Sequence, residues 1–159
     1  MTIESRAAEE QDAEAACQVL RRSISELCIA DHHNDEKVLS AWLRNKTPAN
    51  VRTWIISDKY FSLVALRDSC ICGFAMISRE GEIQLLYGSP EVHHLGAGKL
   101  MLRALEQQAL RWNLNKVFLT STLTAKAFYE RNGFKPHEPS IPPTSALKNV
   151  FPMAKVVGL

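Results

Sequence analysis

The sequence has little that would tie it to a membrane. No run of apolar residues approaches the roughly 18 needed to span a bilayer. Residues 1–6 (MTIESR) are not a basic segment followed by an apolar one, so we expect no signal peptide. Charge of one sign is not in excess, since 19 lysines and arginines against 17 aspartates and glutamates leave a formal net charge of +2. We therefore predict a cytoplasmic protein that binds neither a membrane nor nucleic acid.

Cysteine is also scarce, and its spacing is not that of a secreted disulfide framework. Cys70 and Cys72 are expected on one face of a strand, because alternate strand residues share a face. A Cys-x-Cys pair without a second cluster of cysteine or histidine is a weak zinc signal. We therefore expect Cys17, Cys28, Cys70 and Cys72 to be small buried apolar side chains, and we predict no metal.

What is there fits one globular domain, with 159 residues of which 46% are hydrophobic and 23% charged. Apolar steps of three and four predict helices, and three apolar runs joined by short polar turns predict an antiparallel meander. The predicted order is a strand at 2–6, helices capped by Asp12 and near 38–43 and 48–55, strands at 61–66, 70–78 and 82–88, a helix to 112, a strand at 116–120, a helix at 125–131, and strands at 134–137 and near 147–157. The sequence thus predicts a single mixed α/β domain over residues 1–159.

The most informative stretch is His93-His94-Leu95-Gly96-Ala97-Gly98-Lys99, between a predicted strand and a predicted helix. Its two glycines let main-chain N–H groups converge in a tight turn, and the helix adds free N–H groups and the positive end of its dipole. Such a cradle suits phosphate, although many glycine pairs only turn the chain. The spacing is not that of a Walker A loop, and Met101 stands where a dinucleotide fingerprint has its third glycine. The loop therefore predicts a different phosphate-bearing ligand.

Two segments together resemble the GNAT superfamily of N-acetyltransferases. Residues 85–98 (LLYGSPEVHHLGAG) are similar to its acetyl-CoA signature, a strand and proline turn before a Gln/Arg-x-x-Gly-x-Gly/Ala loop. Residues 125–134 (AKAFYERNGF) resemble its Ala-x-x-Phe-Tyr-x-x-x-Gly-Phe segment. The resemblance covers nearly the whole chain. It implies a GNAT-like α/β (α+β) fold, a mixed and mostly antiparallel sheet flanked by helices, with acetyl-CoA as the acetyl donor and no metal.

The resemblance also implies which residues hold acetyl-CoA. Main-chain groups of Leu86 and Gly88 are expected to pair with the pantetheine arm. The amides of a continuous stretch are expected to hold the pyrophosphate: His93, His94, Leu95, Gly96, Ala97, Gly98 and Lys99. His93 stands where glutamine or arginine is usual, and Thr122 stands where many members place an asparagine that contacts the CoA arm. Both changes are compatible with binding mainly to the backbone.

Two residues are candidates for proton transfer. Tyr129 stands where the superfamily often has a general acid, and a phenol can give a departing thiolate a proton or a hydrogen bond. The alternative is a ring that packs on the cofactor or the core. Glu82 lies eleven residues before His93, the spacing at which histone-type members carry their base. By strand parity Glu82 shares a face with Leu86, ~13 Å away along the strand, so it would act through water; the alternative is a solvated glutamate at a turn.

The segment Asp31-His32-His33-Asn34-Asp35 is rich in side chains that bind metals, but adjacent histidines rarely reach one ion together. Three interpretations stay open for it: a metal site, the rim of a substrate pocket, and a solvated loop.

For function, we predict an acyltransferase that moves acetyl from acetyl-CoA to a primary amine by direct attack in a ternary complex. Tyr129 would be the general acid and Glu82 a water-mediated base. Direct transfer is preferred because no cysteine lies within either motif to carry the acyl group. The alternative is a non-catalytic acyl-CoA-binding sensor or scaffold. The acceptor amine cannot be read from the sequence, and the oligomeric state, a homodimer included, stays open.

Overall fold

The strands form two separate antiparallel sheets in the computed structural model, which describes residues 2–139, 141–143 and 145–158. The first sheet contains β1 (Ile3–Ala7), β2 (Tyr60–Arg67), β3 (Cys70–Ser78) and β4 (Ile83–Gly88) in that order. The second contains β5 (Lys116–Ser121), β6 (Lys135–Pro136) and β7 (Phe151–Val156), with β7 in the centre. The predicted α/β class with mostly antiparallel strands is confirmed. Residues 1, 140, 144 and 159 of the predicted domain lie outside the described residues.

Helices cover both faces of the first sheet. Before the meander come α1 (Ala13–Leu27), α2 (Ile29–His32), α3 (Glu36–Leu43) and α4 (Pro48–Ile56); α5 (Ala97–Arg111) and α6 (Leu123–Arg131) follow it. Alternate strand residues point to opposite faces, which divides the core in two. One cluster joins α1 and α4 to the sheet through Leu20, Val51, Phe74 and Leu85. The other joins α5 to the opposite face through Leu63, Ala75, Ile77 and Met101.

Local capping signals explain some helix ends but not all of them. Thr47 caps α4, since its hydroxyl accepts the Asn50 N–H at 3.1 Å with a proline in the first turn. The carboxylate of Asp12 instead accepts the Glu9 N–H at 2.8 Å and a bidentate pair from Arg6. Its side chain therefore does not cap α1, because the ion pair to β1 takes it.

The cysteines are buried with one exception. Cys17, Cys28 and Cys72 are buried as predicted, whereas Cys70 is exposed at the first residue of β3. Cys70 follows directly on the turn that joins β2 to β3, beyond the part of the sheet that α5 covers. No helix among the described residues is long and apolar enough to cross a membrane.

Candidate active site

β4 and β5 lie side by side but pair at one end alone. A parallel bridge joins Glu82 to Phe118, and the Phe118 N–H donates to the Gly81 carbonyl at 3.0 Å. Gly81 has a φ of +99°, and a Cβ there would lie 2.8 Å from the Lys116 carbonyl oxygen, so this close approach requires glycine. Beyond the bridge, the described residues of the two strands form no ladder. The strands therefore leave an opening between them toward their C-terminal ends.

The edge of β4 that faces this opening has free main-chain groups at two predicted positions. The Ser89 N–H donates to the Cys72 carbonyl at 2.8 Å, so the main chain of Ser89 is directed toward β3. Main-chain groups alternate in direction along a strand, and those of Leu86 and Gly88 therefore point away from β3 and toward β5. An extended molecule with amide groups can pair with them as an added strand does.

The N-terminus of α5 offers a set of unbonded amides. Within the described chain, the N–H groups of Gly96, Ala97, Gly98 and Lys99 donate to no main-chain oxygen, and no side chain caps the helix. Gly96 has a φ of +90°, and a Cβ on it would have no heavy atom within 4 Å, so the space at this turn is open. Free amides at the positive end of a helix dipole form an anion site. The residues present therefore fit a pyrophosphate.

Not every predicted amide of the loop is free. The His93 and Leu95 N–H groups donate to the carbonyls of Pro90 and Val92 at 3.2 and 3.0 Å, which shapes the turn. The rings of His93 and His94 are exposed and stack at 3.7 Å with a tilt of 43°. Partial burial and the neighbouring His94 lower the pKa of His93, which favours its neutral form.

Tyr129 faces the core from α6. It is 6% exposed, and its ring packs edge-on against Phe128 and Phe134 at centroid distances of 5.2 and 5.3 Å. Its hydroxyl has no hydrogen-bond partner among the described residues. Every fully buried polar side-chain atom of those residues does have a partner. The Tyr129 hydroxyl is therefore not fully buried and reaches accessible space. Burial raises its pKa above the usual range. The side chain is thus a neutral donor with an unused O–H.

Glu82 lies on a different face of β4 from the one predicted. The β3–β4 pairing shifts so that Gln84 is an extra residue, a β-bulge. Leu86 packs in the α5 cluster, whereas Leu85 packs in the α1 cluster, and the bulge places Glu82 on the face of Leu85. The parity prediction for Glu82 and Leu86 is therefore wrong. Glu82 Oε1 accepts a hydrogen bond from Gln84 Nε2 at 2.9 Å.

A cleft of about 1420 Å³ opens on this face of the sheet. Its floor is formed by β4 and β5, including Glu82, Gln84 and Tyr87, and its walls by residues 41–46 and the proline-rich segment before β7. Burial is the main cause that raises the pKa of Tyr87, and the electrostatic effect of Cys28 is the second cause. The cleft is lined by eight charged side chains that form no ion pair with any described residue. They are Arg44, Lys46, Asp58, Lys59, Arg79, Glu80, Glu82 and Lys116. The cleft therefore offers room and unpaired charge to a polar molecule.

Thr122 lies at the junction of β5 and α6 and lines the same cleft. Its hydroxyl oxygen accepts the Ala125 N–H at 3.1 Å, which caps α6. The hydroxyl hydrogen remains for a ligand.

The segment at 31–35 contributes a buried side chain and a helix cap to the fold, which the sequence did not indicate. His32 is fully buried: its Nδ1 accepts the Asn34 N–H at 3.0 Å and its Nε2 lies 2.9 Å from the Ile24 carbonyl, so Nε2 carries the proton. Asp35 caps α3 by accepting the Lys37 N–H at 2.9 Å. The interpretation as a solvated loop is therefore wrong for His32.

Asp31 makes a long-range contact that sequence analysis missed. Its carboxylate accepts the N–H groups of Leu123 and Thr124 at 2.7 and 3.2 Å, together with the Thr124 hydroxyl. Across the described residues there is no group of three or more histidine, cysteine, aspartate or glutamate side chains that could hold a metal. No short-range signal could have revealed the contact, since the partners lie 92 and 93 positions away.

Comparison with known proteins identifies the family to which this chain belongs. The model of the acetyltransferase (GNAT) domain family matches residues 29–155, so the chain belongs to this family. The resemblance stated from the two motifs is thereby confirmed, as is the expectation of an acyltransferase at the level of the family. A search of the curated proteins gives no significant match.

Solved structures share the fold at low sequence identity. PaiA N-acetyltransferase from Thermoplasma acidophilum, crystallised with coenzyme A, is 23% identical with a TM-score of 0.81, over 98% of this chain and 99% of that one. A GCN5-related N-acetyltransferase from Rhodopseudomonas palustris is 20% identical with a TM-score of 0.84, over 99% and 97%. The ribosomal-protein-S18-alanine N-acetyltransferase of Escherichia coli is 17% identical with a TM-score of 0.67, over 99% and 96%.

Proposed function

We propose that this chain transfers an acetyl group from acetyl-CoA to a primary amine by direct attack in a ternary complex. The observation that carries the proposal is the open edge of β4 next to the free amides of α5. Leu86 and Gly88 would hold the pantetheine arm, and the amides of Gly96 to Lys99 the pyrophosphate. Acetyl-CoA supplies the acetyl group as a thioester.

Tyr129 is proposed to serve the leaving thiolate. Its raised pKa keeps the phenol protonated at neutral pH, and its O–H has no competing partner among the described residues. A thiol ionises near pH 8.5, below the phenol, so Tyr129 acts as a hydrogen-bond donor to the developing anion more than as a full proton donor. Its contribution arises as the C–S bond breaks.

Glu82 is proposed to draw the proton from the amine through water. A primary amine is mostly protonated at pH 7 and must lose a proton before it attacks. Glu82 lines the large cleft together with Gln84, whose amide already holds one carboxylate oxygen. The second oxygen can accept a hydrogen bond from a relay water in the cleft.

Direct attack, without an acyl-enzyme, is supported by the state of Cys28. This thiol is the cysteine beside Tyr87, and it is 5% exposed. Burial is the main cause that raises the pKa of Cys28 to about 12, and the negative charge of Asp31 is the second cause. Since the thiolate and not the thiol is the nucleophile, Cys28 is unsuited to carry the acetyl group.

The test is thiol release from acetyl-CoA with a panel of amines: a diamine, a peptide α-amine, a peptide lysine and an aminoglycoside. We expect release that depends on one class of amine, with a monoacetylated product by mass spectrometry. Calorimetric titration with acetyl-CoA runs in parallel. Binding without release for every amine would contradict the proposal and favour the sensor or scaffold alternative.

A further inference from the structure

Asp31 connects two parts of the fold that the strands leave apart. It lies on α2, directly after α1, which packs on the first sheet. Its three hydrogen bonds end on Leu123 and Thr124, the first two residues of α6, which follows β5 in the second sheet. Thr124 also hydrogen-bonds the thiol of Cys28, at the junction of α1 and α2. Asp31 therefore bridges the opening between β4 and β5 at its upper end.

The bridge also completes the N-terminus of α6. Asp31 takes the N–H groups of Leu123 and Thr124, and Thr122 takes that of Ala125. The negative carboxylate meets the positive end of the helix dipole, which is a favourable pairing. α5 keeps its first amides free, so the two helix ends beside the opening differ: one is left for a ligand and the other is fastened to α2.

We infer that Asp31 is a positioning residue for the transfer reaction, because it fixes α6, and with it Tyr129, relative to β4. Tyr129 lies six residues after Leu123, less than two turns along the same helix. At the lower end of the opening, the Glu82–Phe118 bridge fixes β5; at the upper end, Asp31 fixes α6. This inference rests on the proposed function of Tyr129.

The chain offers a matched control. Asp35 also caps a helix with its carboxylate, accepting the N–H groups of Lys37 and Val38 at 2.9 and 3.2 Å, but it caps its own helix, α3, and bridges nothing. Asp31→Ala and Asp35→Ala each remove two main-chain hydrogen bonds at a helix N-terminus. If Asp31 served stability alone, the two variants would behave alike.

The experiment compares both variants in the full chain, using the amine of the panel that gives the highest rate. We expect similar losses of melting temperature, but a kcat about tenfold or more lower for Asp31→Ala, since small misplacements of a reacting group cost that much. The KM for acetyl-CoA should change by less than about twofold, and Asp35→Ala should keep kcat within about twofold. Asp31→Asn, which keeps one carbonyl acceptor, should restore part of the rate. Equal kcat losses in the two alanine variants, or an unchanged kcat in Asp31→Ala, would overturn the inference.

A second readout needs no amine. Hydrogen exchange of the α6 amides up to Tyr129 should be faster in Asp31→Ala than in wild type or Asp35→Ala. If the wild type acetylates no amine, the proposed function fails, but hydrogen exchange still tests the bridge. Unchanged exchange of the α6 amides in Asp31→Ala would overturn the bridge as well. If Asp31→Ala does not fold, Thr124→Val keeps both main-chain N–H groups and removes the hydroxyl that donates to Asp31 and hydrogen-bonds Cys28. It should shift kcat and exchange in the same direction; no shift in either would overturn the inference.

Discussion

The ring of Phe128 lies 3.2 Å from the point that a Cβ on Gly98 would occupy. This glycine therefore faces α6, and not the open space in which a pyrophosphate is proposed to lie. Phe128 in turn packs edge-on against Tyr129 at 5.2 Å. Gly98 thus allows the proposed phosphate-binding end of α5 to approach the helix that carries the proposed acid.

Substitution of Gly98 should act through Phe128. We expect Gly98→Ala to cost up to ~1 kcal/mol and Gly98→Val ~1–3 kcal/mol of folding free energy, because added volume forces the ring to move. Displacing α5 or Phe128 should also weaken acetyl-CoA binding and lower kcat. Urea unfolding, calorimetric titration and steady-state kinetics measure the three effects.

The double variant Gly98→Val/Phe128→Leu separates this mechanism from a direct block of the ligand. The smaller leucine side chain should restore much of the lost stability, since the effects of substitutions at two contacting residues on the folding free energy are not additive. Gly96→Ala is the comparison: its Cβ meets nothing, but its φ of +90° strains any side chain, so Phe128→Leu should not rescue it. Equal rescue of both glycine variants would contradict the assigned contact.

The parts of the fold that local chemistry decides could be predicted from the sequence. The Thr47 cap, the antiparallel meander and the glycine loop before α5 each depend on residues a few positions apart. The β-bulge at Gln84 could not be predicted, because it follows from how β3 and β4 pack on two different core clusters. One extra residue was enough to turn Glu82 to the other face.

The candidate site was predictable to the extent that its motifs are contiguous. Leu86, Gly88 and the loop before α5 lie at the opening because strand and loop follow one another in sequence. The contact of Asp31 was missed because its partners are main-chain amides, which leave no trace in composition and belong to a helix brought near only by the tertiary fold. The histidines and aspartates of that segment were the more visible signal, although the described residues form no cluster there that could hold a metal.

The buried thiol of Cys28 should make the protein less stable at alkaline pH. The folded pKa is raised to about 12, whereas an unfolded thiol ionises near 8.5, so the unfolded state loses its proton first and is favoured as pH rises. The contribution is fully present below about pH 8.5 and is lost toward pH 12. Urea unfolding under reducing conditions should show a decline approaching ~1.4 kcal/mol per pH unit above pH 9 from this group.

Cys28→Ala should reduce that slope without removing it, because burial also raises the pKa of Cys17 and Cys72. Cys70→Ala removes an exposed thiol and should keep the wild-type slope. A Cys28→Ala slope equal to that of wild type would show that the thiol ionises equally in both states.

Glu82→Gln should lower kcat/KM most at low pH. The base matters most where the amine is protonated, and rising pH should restore part of the activity because the free amine becomes more abundant. A loss of about 10- to 100-fold at pH 7 is expected. Glu80→Gln, which removes a carboxylate from the same cleft, should stay near wild type. A uniform loss below about twofold for Glu82→Gln at every pH would favour the solvated-turn alternative.

Tyr129→Phe tests the proposed donor by removing one oxygen. The ring contacts with Phe128 and Phe134 should persist, so stability should change little. A positioned acid typically contributes 10²–10⁴-fold, but a thiolate is a fair leaving group and water can substitute, so we expect a loss of about 10- to 100-fold. The loss should fall on kcat, because donation matters as the C–S bond breaks. Since its pKa is raised, the wild-type phenol should remain protonated to at least about pH 10.

Steady-state kinetics and calorimetry on the same variant distinguish donation from binding. Affinity for acetyl-CoA should change by less than ~1 kcal/mol, the value of one neutral hydrogen bond. Tyr60→Phe is the control, since Tyr60 also lines the cleft and its hydroxyl has no role in the proposal. A Tyr129→Phe variant with full kcat and weakened acetyl-CoA binding would make Tyr129 a binding residue. The developing thiolate would then have to be stabilised by another donor, such as water in the opening between β4 and β5.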